Sequence, residues 1–300
     1  MNMNQKRLNV LVTGGNGQLG QALRRACKGS PDRYVFTDIS SLPGEETVYL
    51  DVTNPDAVDI VCSSEKIDVI VNCAGYTDVE KAEDDTAAAE LLNAGVPRIL
   101  AGICCRRKTA LIHISTDYIF PGDGCRPIAE DAAPAPKSVY GASKLAGEKA
   151  VKDSACNAII LRTAWLYSAY GKNFVKTMLR LTSDRDSLKV VCDQVGTPTY
   201  APDLADLIVG IISSRSLDRK GVYNYTNLGV ASWYDFAVAI RALSGHSCEI
   251  SPCLSDEFPQ KADRPHYSVL DKSLVQATFG IKIPHWFESL KKCISEINGN

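Results

Sequence analysis

Leu8-Asn9-Val10-Leu11-Val12-Thr13-Gly14-Gly15-Asn16-Gly17-Gln18-Leu19-Gly20 is the stretch in which the chain changes pattern. A short, largely apolar and β-branched run stops at Thr13. After the glycines, apolar residues return at helical spacing, as Leu19, Ala22, Leu23 and Ala26. The pattern predicts strand, glycine turn, helix. Gly14, Gly17 and Gly20 stand at G-x-x-G-x-x-G spacing, where the early glycines let the backbone turn tightly against a pyrophosphate and the last lets the helix pack closely on the strand. The amides around Gln18 and Leu19, at the start of that helix, then face the phosphates.

An ordinary βα turn can look the same, so the following elements matter. Tyr34-Val35-Phe36-Thr37-Asp38 reads as a second strand ending in a carboxylate 18 residues after Gly20. A dinucleotide fold places its ribose-binding acid about there. Asp38 would accept from the 2′- and 3′-hydroxyls and repel a 2′-phosphate, so by itself it leans toward NADH over NADPH. After the third strand, Thr47 to Leu50, the pair Asp51-Val52 is placed for the adenine edge, and Asn54-Pro55-Asp56 opens a helix. The buried-strand pattern of Asp68 to Asn72 runs into Cys73-Ala74-Gly75, small residues against which a cofactor can lie. A helix is expected from Glu90 to Cys104.

The strand Leu111 to Ser115 ends in Thr116-Asp117-Tyr118. Ligands of open α/β sheets gather at such strand ends, so Thr116 is a candidate to hydrogen-bond a substrate carbonyl; capping a turn is its ordinary alternative. Phe120 to Pro136 is rich in Pro and Gly and reads as a rim or lid. Ser138-Val139-Tyr140-Gly141-Ala142-Ser143-Lys144 then puts a phenol and an ammonium four residues apart on one helix face. Lys144 should hold its charge near Tyr140 and lower a pKa that is ordinarily about 10 toward the range useful for proton transfer.

These elements predict an α/β fold: a Rossmann-type doubly wound parallel sheet with a smaller C-terminal α/β substrate domain. The first covers residues 1–165, with a contribution from 203–230, and the second covers mainly 166–300. Strict alternation breaks after Trp165, which can cover the sugar pocket or sit in the core. Beyond it, helices are expected near Phe174 to Leu181, from Asp203, and from Ser232 to Leu243, with strands at Leu188 to Cys192 and Tyr223 to Tyr225, followed by a mixed tail.

Composition narrows the function classes. With 45% hydrophobic and 23% charged residues and a net charge of −2, the chain lacks the basic footprint of a nucleic-acid binder. Arg24-Arg25 and Arg106-Arg107-Lys108 read as solvated helix ends. The polar Met1 to Arg7 stretch, no apolar signal and no spanning-length apolar run point to the cytoplasm and away from a membrane. The 11 cysteines are odd in number and scattered, which suits small buried hydrophobes kept reduced. No metal is expected, because neither they nor the four histidines show ligand spacing.

The residues from Val71 to Glu83, Ser115 to Gly122, Tyr140 to Glu148, Arg162 to Tyr167, Asn173 to Arg180 and Asp193 to Thr199, with Arg264-Pro265, resemble the extended short-chain dehydrogenase/reductase family over nearly the whole chain, and within it the dTDP-4-dehydrorhamnose reductase branch. The resemblance implies reduction of the C4 ketone of dTDP-4-dehydro-L-rhamnose in deoxysugar biosynthesis for cell-surface polysaccharide. NADPH or NADH is the implied cofactor, since the family is tolerant between them. Tyr140 is then the proton donor, Lys144 tunes it and binds the nicotinamide ribose, and Thr116 positions the carbonyl. Tyr76, Thr77, Asp117 and Trp165 go to the sugar site. Cys73 and Gly75 stand where the family would have Ala. Homodimers are common in the family, and some members use magnesium at a dimer contact, for which no motif is found. A 4,6-dehydratase would need a second acid after Thr116-Asp117, where Tyr118 stands. Another nucleotide-sugar 4-ketoreductase, a 4-epimerase and a non-catalytic NAD(P)-binding regulatory subunit are the alternatives.

Overall fold

The structure is a computed structural model that describes residues 6–299; residues 1–5, most of the polar N-terminal stretch, and Asn300 lie outside the described residues. Strand β1 (Asn9–Thr13) leads to helix α1 (Gln18–Ala26), then β2 (Arg33–Asp38), β3 (Val48–Tyr49), α2 (Pro55–Ser64) and β4 (Val69–Asn72). Short helices α3 (Val79–Ala82) and α4 (Thr86–Glu90) precede α5 (Val96–Arg107), β5 (Ala110–Thr116), α6 (Val139–Asp153) and β6 (Ala158–Thr163). The second half contains β7 (Leu166–Tyr167), α7 (Phe174–Asp184), β8 (Ser187–Val191), β9 (Val195–Gly196), β10 (Thr199–Tyr200), α8 (Ala201–Ser213), β11 (Gly221–Asn224) and β12 (Ala231–Ser232). It ends with α9 (Trp233–Ser244), β13 (Glu249–Cys253), α10 (Ser273–Phe279) and α11 (Trp286–Ile297).

Seven parallel strands form the main sheet in the order β11-β6-β5-β4-β1-β2-β3. The order reverses between β1 and β4, which opens a crevice at their C-terminal ends. Both faces are covered, so the strands are continuous apolar runs. Val10 and Val12 of β1 join α8 residues such as Leu204 and Ile208 on one face, whereas Leu11 joins Val58 of α2 and Leu100 of α5 on the other. A separate core around Tyr167, Phe236, Trp286 and Leu290 supports the second half. There β8 pairs with β13 in parallel, a strand hidden in the tail that reads as mixed in sequence.

Four expectations change here. Residues 86–107 are long and apolar enough to span a membrane by length and composition alone, with a mean hydropathy of 1.3. Their buried face lies in the sheet's core through Val96, Leu100 and Cys104. That stretch is not a continuous α-helix either: Leu91–Gly95 form a π turn just ahead of Pro97. A wider turn suits the missing proline N–H. Arg24 is buried rather than solvated, donating to Glu46 O, Thr47 Oγ1 and Asn16 Oδ1 with its guanidinium over Phe36. The cysteines are all free, but Cys105 and Cys125 are exposed.

Candidate active site

A cavity of about 1090 Å³ lies at the switch point and continues toward the second half of the chain. Its floor is the glycine turn. Gly14 has φ +65°, and a Cβ there would come within 2.7 Å of Ala74 N, so only glycine lets β1 and β4 end side by side. Gly20 differs from expectation: its close neighbours are Gly14 and Gly15 of the turn itself, where a Cβ would lie 2.5 Å from Gly14 O. Gly17 caps α1 without a side-chain hydrogen bond, leaving the first amides available to an anion.

Asp38, Asp51, Val52, Cys73, Ala74 and Gly75 all line this cavity, as do Leu19 and Gln18. Asp38 also does the work of a turn residue: it accepts from Asn16 N at 3.1 Å and from Ser40 N and Oγ at 3.1 and 2.9 Å. Asp51 accepts from Thr53 N and Oγ1 at 2.9 and 2.7 Å.

Helix α6 delivers Tyr140 and Lys144 to the same wall. Ser138 caps it through Gly141 N at 3.1 Å, and a Cβ on Gly147 would sit 2.1 Å from Asn93 O, so the helix lies directly on the π turn. Asn93 is a residue that sequence reasoning missed. Its amide clasps the Tyr76 backbone, accepting from Tyr76 N and donating to Tyr76 O at 2.9 Å each, and it also donates to Ser143 Oγ at 3.1 Å. Tyr76, expected in the sugar site, is not among the residues that line the cavity, whereas its neighbours Gly75 and Thr77 are.

Thr116, Asp117 and Trp165 complete the wall. Thr116 serves as a cap, the ordinary alternative considered for it: its hydroxyl accepts from Tyr118 N at 3.2 Å, donates to Asp117 Oδ1 at 3.0 Å, and lies within hydrogen-bonding reach of Tyr140. Asp117 is 1% exposed, and its Oδ2 has no partner among the described residues. Burial pushes its carboxyl up to about 6, against the pull of the Ser268 and Thr116 hydroxyls.

The expected tuning of Tyr140 is not found. Burial pushes its phenol up to about 12, with the Thr116 hydroxyl acting downward and the Asp117 charge upward. Lys144 is itself lowered to about 8 by burial, and its Nζ donates to Ile114 O at 2.5 Å. Desolvation of the phenolate is the largest influence on Tyr140, and Lys144 is not among the charges that act on it.

Trp165 is a cavity residue with φ +48°, stacked on Trp233 at 3.5 Å between centroids and 8° between planes. Trp233 comes from α9 and carried no motif in the sequence. Arg264 also reaches the cavity, donates to Glu80 Oε1 at 2.8 Å and hydrogen-bonds Tyr118. No residue of loop 120–136 lines the cavity, so it is not its lid. Ile119, Phe120 and Ile128 pack on Leu270, and Glu130 O accepts from Arg162 at 2.8 Å. Asp193 is likewise drawn away, accepting from Ser255 Oγ at 2.7 Å.

The site thus offers a dinucleotide seat next to a protonated phenol, an ammonium, a hydroxyl and a carboxyl. Residues 8–298 match the family model described as RmlD substrate binding domain. A probable dTDP-4,6-dihydroxy-2-methyloxan-3-one 4-ketoreductase of Streptomyces antibioticus is 39% identical, the match covering 96% of this chain and 95% of that protein. The crystal structure of a dTDP-4-dehydrorhamnose reductase from Clostridium acetobutylicum is 40% identical with a TM-score of 0.90, covering 97% of this chain and 100% of that one. A second, from Bacillus anthracis in complex with NADP, is 35% identical with a TM-score of 0.88 over the same shares. This chain therefore belongs to the RmlD substrate-binding-domain family, that of the dTDP-4-dehydrorhamnose reductases.

Proposed function

We propose that this chain reduces the C4 ketone of dTDP-4-dehydro-L-rhamnose to give dTDP-L-rhamnose, with NAD(P)H as cofactor. The observation that carries the reading is the convergence of Thr116, Tyr140 and Lys144 on one wall of a cavity floored by the glycine turn. The dinucleotide fits this chain: the turn at Gly14 is a cradle that a Cβ would fill, and the α1 amides have no side-chain cap. When bound, NAD(P)H supplies the hydride for the ketone carbon.

Thr116, turning its single hydroxyl proton from Asp117 Oδ1, donates to the ketone oxygen and holds it beside Tyr140. With its pKa near 12, Tyr140 carries its proton throughout the neutral range, as an acid must. An alkoxide is a stronger base than a phenolate, so proton transfer from Tyr140 to the oxygen runs downhill. Lys144, one helical turn further along α6, supplies positive charge to the site and a donor for the nicotinamide ribose. Asp117 accepts from a sugar hydroxyl, which partners its lone Oδ2, and the Trp165–Trp233 stack forms the apolar side of the sugar-nucleotide site.

On this reading residues 1–165 with 203–230 form the coenzyme domain and 166–300 mainly the sugar-nucleotide domain. Eleven free thiols suit the reducing cytoplasm. The test is loss of reduced-nicotinamide absorbance when protein and NADPH or NADH meet the 4-ketosugar nucleotide made in situ, with the product's configuration read by NMR. The 39% identity to the Streptomyces antibioticus ketoreductase favours a second reading, reduction of another dTDP-4-keto-deoxysugar. Tight coenzyme binding without oxidation by any 4-ketosugar nucleotide would instead indicate a regulatory subunit.

A further inference from the structure

Gln18 begins α1 at the glycine turn, yet its side chain is bound to the other half of the molecule. Its Oε1 accepts from Ser168 Oγ and Asn173 Nδ2, both at 2.9 Å, and its Nε2 donates to Leu166 O at 3.4 Å. The Asn173 amide also donates to Ser168 O at 2.8 Å and Tyr170 O at 3.1 Å, so loop 168–173 is closed around it. Gly171, at φ +60°, lies over Gln18: a Cβ there would stand 3.3 Å from Gln18 Cγ. A side chain at that position would be strained as well as crowded.

The next residue, Lys172, lines the cavity. Three cationic side chains line it in all, among the described residues. Arg264 is paired with Glu80, and Lys144 is bound to Ile114 O. Lys172 has no ion pair or hydrogen bond among the described residues. Asp38, Asp51 and Asp117 line the same cavity, so its side chains offer little net positive charge. Both a dinucleotide and a nucleoside-diphosphate sugar bring a diphosphate into it.

We propose that Lys172 is the counter-charge for a ligand diphosphate and that Gln18 is the positioning residue that holds its loop over the glycine turn. The inference rests on the reading of this cavity as a site for NAD(P)H and a dTDP-sugar, and deepens it. A glutamine suits the position because its amide accepts twice without charge. A glutamate could accept the same bonds but would set an anion where the diphosphate must sit.

The test measures binding rather than turnover, with NADPH and dTDP as separate probes for native protein, Lys172→Met, Gln18→Leu and the double variant. Lys172→Met should weaken at least one probe by about 5- to 10-fold, a size suited to an exposed pair, and flatten its salt dependence. Loss for NADPH alone assigns the coenzyme diphosphate, loss for dTDP alone assigns the sugar nucleotide, and loss for both places Lys172 between them. Gln18→Leu should show the same loss, and the double variant should be no weaker than the worse single one, because both changes remove one contact. Unchanged affinities and salt slopes in Lys172→Met overturn the assignment. Native-like binding by Gln18→Leu overturns the positioning role. Failure of native protein to bind either probe would defeat the reading of the cavity itself.

Discussion

Glu148 and Arg162 form a buried two-pronged ion pair: Arg162 Nε donates to Glu148 Oε1 and Nη2 to Oε2, each at 2.9 Å. The pair joins α6, which carries Tyr140 and Lys144, to β6, and Ser115 Oγ adds a third bond to Oε1 at 2.6 Å. Burial works against the Glu148 carboxylate, but Arg162 outweighs it and holds the pKa below its usual range. Replacing Glu148 with Gln leaves the Arg162 charge buried and unpaired, at a cost of roughly 3–5 kcal/mol. Urea unfolding would measure it, and a loss under about 1 kcal/mol would show that the charges are replaceable. Since the folded-state pKa is depressed, the pair's stabilisation is present above the unfolded pKa and fades as pH falls through the folded one.

Tyr140→Phe keeps the ring and deletes only the acid. Turnover should fall by about 10²–10⁴-fold while NADPH affinity holds, because the glycine turn and Lys144 remain. Lys144→Met should impair both turnover and coenzyme affinity. Near-native turnover by Tyr140→Phe would remove the phenol from the chemistry.

Asp117 makes an opposite use of burial. Its carboxyl is raised from 3.8 to about 6, so the folded protein holds that proton more tightly than the unfolded chain. The sign is therefore reversed from that of Glu148: stability from this group is present below the unfolded pKa and lost as pH rises through about 6. Asp117→Asn should stabilise the protein at pH about 7.5 by roughly 1–3 kcal/mol, with little gain at pH about 4, while weakening sugar-nucleotide binding. A variant less stable at the higher pH would mean that the charge is compensated.

Trp165→Phe tests the sugar wall. Trp165 lies on the cavity and stacks on Trp233, so its shortening should raise the KM for the sugar nucleotide while the melting temperature falls little. A large drop in melting temperature with normal kinetics would assign it to packing instead.

Asp38 tests the coenzyme. Replacement by Ser removes repulsion of a 2′-phosphate and should shift the NADPH-to-NADH ratio of kcat/KM toward NADPH by roughly 1–3 kcal/mol. Because Asp38 also ties Asn16 to Ser40, melting must be followed in parallel. An unchanged ratio would leave Asp38 as a turn residue only.

The sequence by itself determined the parallel sheet, the glycine turn at Gly14 and the placement of Tyr140 and Lys144 on one helix face. These follow from local sterics and from periods of two and 3.6 residues, which operate over a few residues. Only the tertiary structure brought Trp233, Asn93, Arg264 and Lys172 to the cavity or its supports, since each is distant in the chain and has no spacing rule to announce it. The same holds for the direction of the Tyr140 pKa. A Lys four residues away is visible in the sequence, but the desolvation that raises the phenol depends on how much of the chain folds over it. Loop 120–136 shows the converse: its prolines and glycines mark a loop correctly, but packing on Leu270 rather than composition decided where it lies.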